Sequence, residues 1–383
     1  MDKPTVRKTY KYKLMPTPTQ ERELGRVLGL CRRLYNTALE QRITAWQRRR
    51  VSLSQYQQAA ELKDIRAAMP DFAAIHSHVL QDALARLEKT YQAFFRQVKA
   101  GEKAGFPRYQ GRNRWHSSSY MEDGNGARLD NGFLVLSKIG RVAARWSRPI
   151  EGTPKTVTIS KEADGWYACL SCADMPIQPL PPSGQVTGID LGREAFAALS
   201  DGARSFSPGW YRTAERALKT AQRRVSRRKK GSNRKAVALL ARAHQQVRRQ
   251  RQDFHHKVAR ALVENNDTIY HEDLQTANMV RNHHLAKSIA DVGWSAFLAI
   301  LSDKAACAGR SVIAVPPAYT SQLCSGCGVV VTKGLSVRWH RCPACGTSLH
   351  RAHNAARNIE RLGQSRRGGA AVVALENRAS IGL

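Results

Sequence analysis

Val186-Thr187-Gly188-Ile189-Asp190-Leu191-Gly192 decides how the second half of this 383-residue chain is read. It is a short apolar run with a carboxylate near its end, the pattern of a buried strand. Thr268-Ile269-Tyr270-His271-Glu272 repeats that pattern and again ends in a carboxylate. Phe196 to Ser200, closed by Asp201-Gly202, reads as a further strand and turn, and Ser311-Val312-Ile313-Ala314-Val315 as another buried strand. Two long helices are predicted at about Gly209–Lys230 and Arg234–Asn265, broken at Gly231-Ser232-Asn233, and a third around Ala290–Ala308.

Strands with carboxylates at their ends in a mixed α/β domain suggest an RNase H-like fold. Adjacent strands can bring Asp190 and Glu272 to one edge, where they can hold Mg²⁺. Two such ions, about 3.5–4 Å apart, activate water and stabilise the leaving oxygen in phosphodiester cleavage. Two carboxylates alone are weak evidence, because a strand-end acid is usually solvated or capping.

Cys324-Ser325-Gly326-Cys327-Gly328 and Cys342-Pro343-Ala344-Cys345-Gly346 are paired knuckles. Their spacing is that of a closed four-thiolate site for one structural Zn²⁺. Cys31, Cys169, Cys172 and Cys307 show no disulfide framework, which points to a reducing cytoplasm. Cys169 and Cys172, although spaced Cys-x-x-Cys, read as strand fillers on opposite faces.

In the first half, Tyr10-Lys11-Tyr12-Lys13-Leu14 alternates like a strand and Pro16 and Pro18 end it. A helical period follows from Thr19 to Ala100. Its first helix carries Leu24, Val27, Leu28, Cys31, Leu34 and Tyr35; a second follows Ser54; a third starts near Ser77. The aromatic stripe of that third helix, Tyr91, Phe94 and Phe95, reads as core rather than a base-stacking platform. From Gly105 to Cys172 the period is two, with glycine-rich turns, which suggests a small barrel completed by the N-terminal strand. The stretch from Phe106 to Trp115, with Arg108, Arg112 and Arg114, suits either a nucleic-acid strand or a solvated loop. Pro176 to Pro182 reads as a linker.

Lys and Arg number 62 against 30 Asp and Glu, a formal charge of +32, so a polyanionic partner is expected. No apolar run of about 18 residues, signal peptide or acyl-anchor motif is found, so a membrane is not the expected partner. From Lys219 to Arg251 there are 13 basic residues and no acid. Such a single-sign face repels itself unless phosphates neutralise it, which marks Arg227, Arg228, Lys229, Lys230, Arg234 and Lys235 as nucleic-acid contacts.

From Lys8 to Leu362 the chain resembles the transposon-encoded TnpB family, RNA-guided RuvC-type nucleases related to type V CRISPR effectors. The likeness rests on Tyr10-Lys11-Tyr12-Lys13-Leu14, Cys31-Arg32-Arg33-Leu34-Tyr35-Asn36, Phe106-Pro107-Arg108-Tyr109, Gly188-Ile189-Asp190-Leu191-Gly192, the block from Arg251 to Lys257, Glu272-Asp273-Leu274, and Tyr319-Thr320-Ser321-Gln322 ahead of the knuckles. The resemblance implies a multidomain α+β and α/β chain. An oligonucleotide-binding-like, wedge-like β-barrel (1–18 and 101–182) carries an inserted helical recognition module (19–100). An RNase H-like RuvC domain (186–320 and 350–363) carries an inserted zinc ribbon (321–349), and 364–383 form a disordered tail. It implies Asp190 and Glu272 as Mg²⁺-binding catalytic residues, a guide RNA from the transposon end, and double-stranded target DNA with a short adjacent motif read around Tyr56 and Gln81. The setting it implies is a prokaryotic cytoplasm, with nucleoid association when DNA is bound.

One position departs from the family. Its third RuvC motif reads Asp-Arg-Asp-x-Asn-Ala-Ala; here the segment is His350-Arg351-Ala352-His353-Asn354-Ala355-Ala356. The third catalytic carboxylate maps onto Ala352, which cannot bind metal. Rescue by His350 or His353 is disfavoured because Mg²⁺ prefers oxygen. Two readings stay open: a nuclease inactivated by one change, or a naturally nuclease-dead RNA-guided DNA-binding repressor of transcription. The intact Asp190 and Glu272 favour the first. A transposase joining DNA ends fits the RNase H-like core alone, but not the ribbon position and the basic helix pair.

Overall fold

The computed structural model describes residues 5–112, 114–229, 232–334 and 336–379, and the chain divides into two units between Pro176 and Ile177. In the first unit β1 (Thr5–Met15) buries Tyr10, Tyr12 and Leu14 on one face, as its period of two requires. Thr17 ends the strand region and caps α1 (Pro18–Arg49) through a reciprocal box with Gln20, with Pro18 at the first helical position. Ser54 caps α2 (Gln55–Ala60) with Gln57 in the same way. Short α3 (Leu62–Ala68) and α4 (Pro70–Ala73) lead to α5 (Ser77–Lys99), which packs on α1.

Arg42 of α1 ties these helices together. Its Nε donates to Gln58 Oε1 and its Nη1 to Glu88 Oε2, each at 2.8 Å, and the side chain is 7% exposed. A buried guanidinium is tolerated here because its Nε and Nη1 reach amide and carboxylate oxygens and it lies over the Tyr91 ring, although Nη2 has no hydrogen-bond partner.

The strands β2 (Ser117–Tyr120), β3 (Glu122–Asp123), β4 (Gly126–Asp130), β5 (Phe133–Leu136), β6 (Gly140–Arg145), β7 (Thr153–Glu162) and β8 (Gly165–Pro176) join β1 in one eight-stranded sheet. Its order is β2-β7-β8-β1-β6-β5-β4-β3, so the N-terminal strand is central, antiparallel to β6 and β8. β3 lies against β7, which curls the sheet on itself. Cys169 is half-buried and Cys172 buried, on the opposite faces their spacing required.

The second unit is built on β9 (Val186–Asp190), β10 (Ala197–Leu199) and β11 (Arg204–Ser205), then α6 (Trp210–Ser226) and α7 (Arg234–Asn265), then β12 (Thr268–Glu272). After these come α8 (Thr276–Met279), α9 (His283–Val292), α10 (Trp294–Cys307), β13 (Ser311–Val315), β14 (Trp339–Arg341), β15 (Ser348–His350) and α11 (Arg351–Ala379). The five-stranded sheet runs β11-β10-β9-β12-β13, with β9, β12 and β13 parallel and β10 and β11 antiparallel. Ile189, Phe196, Ile269, Phe297 and Leu301 fill its core at 0% exposure, enough apolar burial to fix the strand register.

One boundary differs from the sequence reading. The helix expected around 290–308 is two helices, parted by Gly293 at φ 69°, a left-handed backbone that glycine adopts without cost. Helix α11 spans Arg351–Ala379, and residues 380–383, the end of the expected tail, lie outside the described residues.

Helix α11 crosses the sheet at very short range. A Cβ on Gly188 would stand 2.1 Å from the carbonyl oxygen of Ala356, and one on Gly363 would stand 2.1 Å from the Tyr270 ring. Glycine at both positions lets the helix lie on β9 and β12.

Candidate functional site

The parallel register pairs Thr268 with Val186 and His271 with Ile189, which brings Glu272 beside Asp190 at the strand C-terminal edge. Asp190 is lifted from 3.8 to about 7, first by burial and then by the Glu272 charge, with the Arg351 guanidinium opposing. Glu272 is also raised, by burial, with a hydrogen bond from Thr320 and the charge of Arg351 opposing. Two carboxylates held side by side with raised proton affinity make a site that gains from a cation.

Thr320 Oγ1 donates to Glu272 Oε1 and so fixes that carboxylate. Thr320 follows Tyr319, whose φ of 63° is left-handed and whose ring is 63% exposed. Arg351, at the start of α11, donates to Ser321 Oγ and to the Gly334 carbonyl oxygen, both at 3.2 Å. Its guanidinium therefore links the carboxylate pair to the base of the ribbon.

Ala352 is the second residue of α11, and its N–H donates to His350 Nδ1 at 3.2 Å. The methyl group offers no donor atom. His353 is committed elsewhere: its Nε2 lies 3.1 Å from the Ser200 carbonyl oxygen, over Gly202. The His350 ring faces Trp339, and burial and nearby Arg204 lower its proton affinity. Among the described residues, no His, Cys, Asp or Glu joins Asp190 and Glu272 in a group of three potential ligands.

The cysteines do form such a group. The Sγ atoms of Cys324, Cys327, Cys342 and Cys345 lie within 4.8 Å of one another, with Cys324–Cys345 at 3.6 Å and Cys327–Cys342 at 3.5 Å. A tetrahedral ion with bonds of about 2.3 Å to sulfur needs separations of about 3.8 Å, so the donor set fits Zn²⁺. The first knuckle closes with the Leu323–Val330 bridge and the second lies in the β14–β15 hairpin. The Gly326 N–H donates to Cys324 Sγ at 3.3 Å, which favours the thiolate.

Sequence reasoning missed what fastens this cluster to the sheet. Asn354 Oδ1 accepts from the Ser325 N–H at 2.9 Å and its Nδ2 donates to the Leu323 carbonyl oxygen at 2.7 Å. Asn358 Nδ2 donates to the carbonyl oxygens of Thr320 and Leu323 at 2.9 and 2.7 Å. Both amides are buried, so the first turns of α11 clamp the first knuckle over the carboxylate edge.

Helices α6 and α7 pack on each other through Trp210, Leu218 and Val247. Arg227, Arg228, Lys229, Arg234 and Lys235 are exposed around their connection, while Lys230 lies outside the described residues. Arg251, last of the basic run, is used internally: Nη1 donates to the Ala290 and Asp291 carbonyl oxygens at 2.8 and 3.2 Å. His255 is buried, with Nε2 at 2.9 Å from the Val292 carbonyl oxygen. Both residues close the end of α9. In the first unit Tyr56, Gln81, Arg108, Arg112 and Arg114 are exposed. Trp115 is not a stacking surface: it is buried between Tyr35 and the Arg86 guanidinium.

Known proteins match most of this chain. Residues 160–283 match the IS605 OrfB family profile, described as "Probable transposase", and residues 294–359 match "Cas12f1-like, TNB domain". Residues 1–50 match a profile described as "Helix-turn-helix domain", although the described part of that span forms a strand and one 32-residue helix. A "Putative RNA-guided DNA endonuclease" of Streptomyces pristinaespiralis is 36% identical over 365 residues, covering 92% of this chain and 89% of the relative. "Putative RNA-guided DNA endonuclease InsQ" of Escherichia coli (strain K12) is 31% identical over 391 residues, covering 93% and 92%. A chain in the cryo-EM structure of a Cas12f1–sgRNA–target DNA complex aligns over 93% of this chain and 99% of its own length, at 13% identity and a TM-score of 0.36. The chain belongs to the TnpB family of the IS605 OrfB type. Among the described residues no helix is long and apolar enough to cross a membrane.

Proposed function

We propose that this chain is an RNA-guided double-stranded DNA endonuclease of TnpB type whose carboxylate set is incomplete, so that it binds guided DNA and cuts it poorly. The observation that carries this is the Asp190–Glu272 pair at one strand edge; by resemblance the family's third carboxylate maps onto Ala352, the second residue of α11. The curled sheet of the first unit serves as the oligonucleotide-binding-like barrel, and the five-stranded sheet as the RNase H-like nuclease core.

Asp190 and Glu272 would hold Mg²⁺ through oxygen donors, the ligands that ion prefers. Bound there, the metal would supply activation of water and stabilisation of the leaving oxygen. Thr320 orients Glu272, and Arg351 offsets part of the pair's negative charge. Neither replaces an anionic ligand at position 352. Losing a direct ligand costs more than the roughly 10–100-fold typical of residues that only orient ligands.

The cysteine cluster would hold one structural Zn²⁺, since all four positions are filled by protein. The exposed cations between α6 and α7, with Arg108, Arg112 and Arg114, would grip a guide RNA and its paired DNA. Tyr56 and Gln81 would face a short duplex motif next to the target, because base pairing reads the target and protein reads that motif.

The test is to purify the chain from cells carrying its own gene neighbourhood and sequence the co-purifying RNA. That RNA should then direct a gel shift of matching duplex DNA. Absence of a defined RNA, or a shift indifferent to RNA–DNA matching, would overturn the guided reading.

A further inference from the structure

The stripe of α5 outruns the core that it serves. Leu80, Leu84 and Leu87 are at most 1% exposed, but the same face continues as Tyr91, Phe94, Phe95 and Val98, with Phe95 58% and Val98 51% exposed. Phe106, 50% exposed, closes the group from the following loop: its ring lies 5.3 Å from Phe94 and 5.9 Å from Tyr91. Phe95 in turn lies 5.2 Å from Phe94 and 6.1 Å from Tyr91.

The loop is pinned on both sides of Phe106. The Gly105 N–H donates to Gln97 Oε1 at 3.3 Å. The Gln110 N–H donates to Asn36 Oδ1 at 2.8 Å, and Asn36 Nδ2 returns a bond to the Gln110 carbonyl oxygen at 3.0 Å. The rings are therefore set in place before any ligand arrives, which lowers the entropy cost of binding.

Charge selects the occupant. From Phe95 to Arg108 the exposed cations are Arg96, Lys99, Lys103 and Arg108, against Glu102 as the one acid. None of the four cations is in an ion pair among the described residues. A second copy of this chain would bring like charges together across the patch. A ligand with flat apolar faces and a polyanionic backbone matches both features.

We propose that Phe95 and Phe106 form a stacking shelf for unpaired bases of a single-stranded nucleic-acid segment, with the four cations holding its phosphates. This rests on the nucleic-acid reading above and adds the stacking residues to it.

The probe is a fluorescein-labelled oligodeoxythymidine of about 20 nucleotides, a length well beyond the 4–16 covered by typical single-strand modules. A second version carries 2-aminopurine, whose fluorescence falls on stacking. The protein is the nucleic-acid-free full chain, with circular dichroism confirming the fold of each variant. Phe95→Ala with Phe106→Ala should weaken binding at least about 30-fold and abolish the quench, at stacking worth about 1–3 kcal/mol for each of two bases. The slope of log affinity against log salt should stay as in the parent, because no phosphate contact is lost. Phe95→Tyr with Phe106→Tyr should retain the affinity and the quench. Unchanged affinity and quench in the alanine variant would overturn the shelf. So would sedimentation showing a parent dimer that the alanine variant loses, since the occupant would then be a second copy. Parent chain that binds no oligonucleotide at all would overturn the nucleic-acid reading itself, a result distinct from normal binding that ignores the two phenylalanines.

Discussion

Glu272 stands beside Asp190 on neighbouring parallel strands, and burial together with its charge lifts the Asp190 carboxyl from 3.8 to about 7. Folded Asp190 thus binds its proton more tightly than the unfolded chain does. In buffer without added Mg²⁺, with the zinc left in place, stability should rise as pH falls from about 7 towards 3.8, and this gain should be absent at about pH 8. Asp190→Asn, uncharged throughout, should be about 2–4 kcal/mol more stable than the parent near pH 8 and should lose most of that pH dependence. Urea midpoints across the range check this; a parent that loses stability on acidification from 8 to about 6, with no benefit from the asparagine, would show the pair is not electrostatically costly.

The cysteine cluster sits under buried Asn354 and Asn358, so loss of its metal should be felt in the sheet. Elemental analysis should find about one zinc per chain. Cys324→Ser with Cys342→Ser should abolish it and unfold or sharply destabilise the second unit, since structural zinc contributes about 10 kcal/mol or more in small sites. Zinc-free parent protein with normal stability would refute this.

Contact between β9 and α11 can be probed through glycine. Gly188→Ala places a methyl group 2.1 Å from the Ala356 carbonyl oxygen and 2.6 Å from the Glu360 nitrogen, both backbone atoms that cannot step aside alone. A loss of about 3 kcal/mol or more is expected, within the range of severe overpacking. Gly25→Ala is the control: nothing lies within 4 Å there, and in a helix interior alanine should gain about 0.5–1 kcal/mol. Equal melting temperatures for both variants would mean that the close approach is not maintained in solution.

Reversing Arg227, Arg228, Lys229 and Lys230 to Glu should sharply reduce RNA retention and flatten its salt dependence, because these charges release counterions on binding. Three of the four are exposed beside the α6–α7 connection. Filter binding over a range of salt reads both quantities, and an unaltered slope would locate the grip elsewhere.

Much of this arrangement was legible because it rests on local chemistry. Continuous apolar runs fixed the strands ending in Glu272 and Val315, and Ser54 marked a helix start, where the structure adds a capping box with Gln57. The cysteine pairs declared their own cluster. Residues whose partners are distant in sequence were not legible. Thr320 holds Glu272 across 48 positions, and Arg251 reaches α9 across 39. Composition marked Arg251 as one more cation in a basic run, although its protons serve backbone carbonyls. The aromatic stripe of α5 was expected to be core throughout. Its period could not reveal that the partners of Phe95 run out before the stripe does. Gly293 was passed over for a related reason, since a single glycine inside a helical period breaks the helix only when neighbours favour the break.

The central claim is that one missing carboxylate separates binding from cutting. The measurement is cleavage of a plasmid carrying the matched target, in Mg²⁺ with the chain's own guide RNA, for the parent and for Ala352→Asp, with gel-shift binding in parallel. The parent should bind and leave the plasmid largely intact, while Ala352→Asp binds equally well and cuts, because pairing and cationic grooves govern binding whereas ligand geometry governs chemistry. Efficient guide-dependent cutting by the parent, or an Ala352→Asp chain that binds its target and still does not cut, would contradict it.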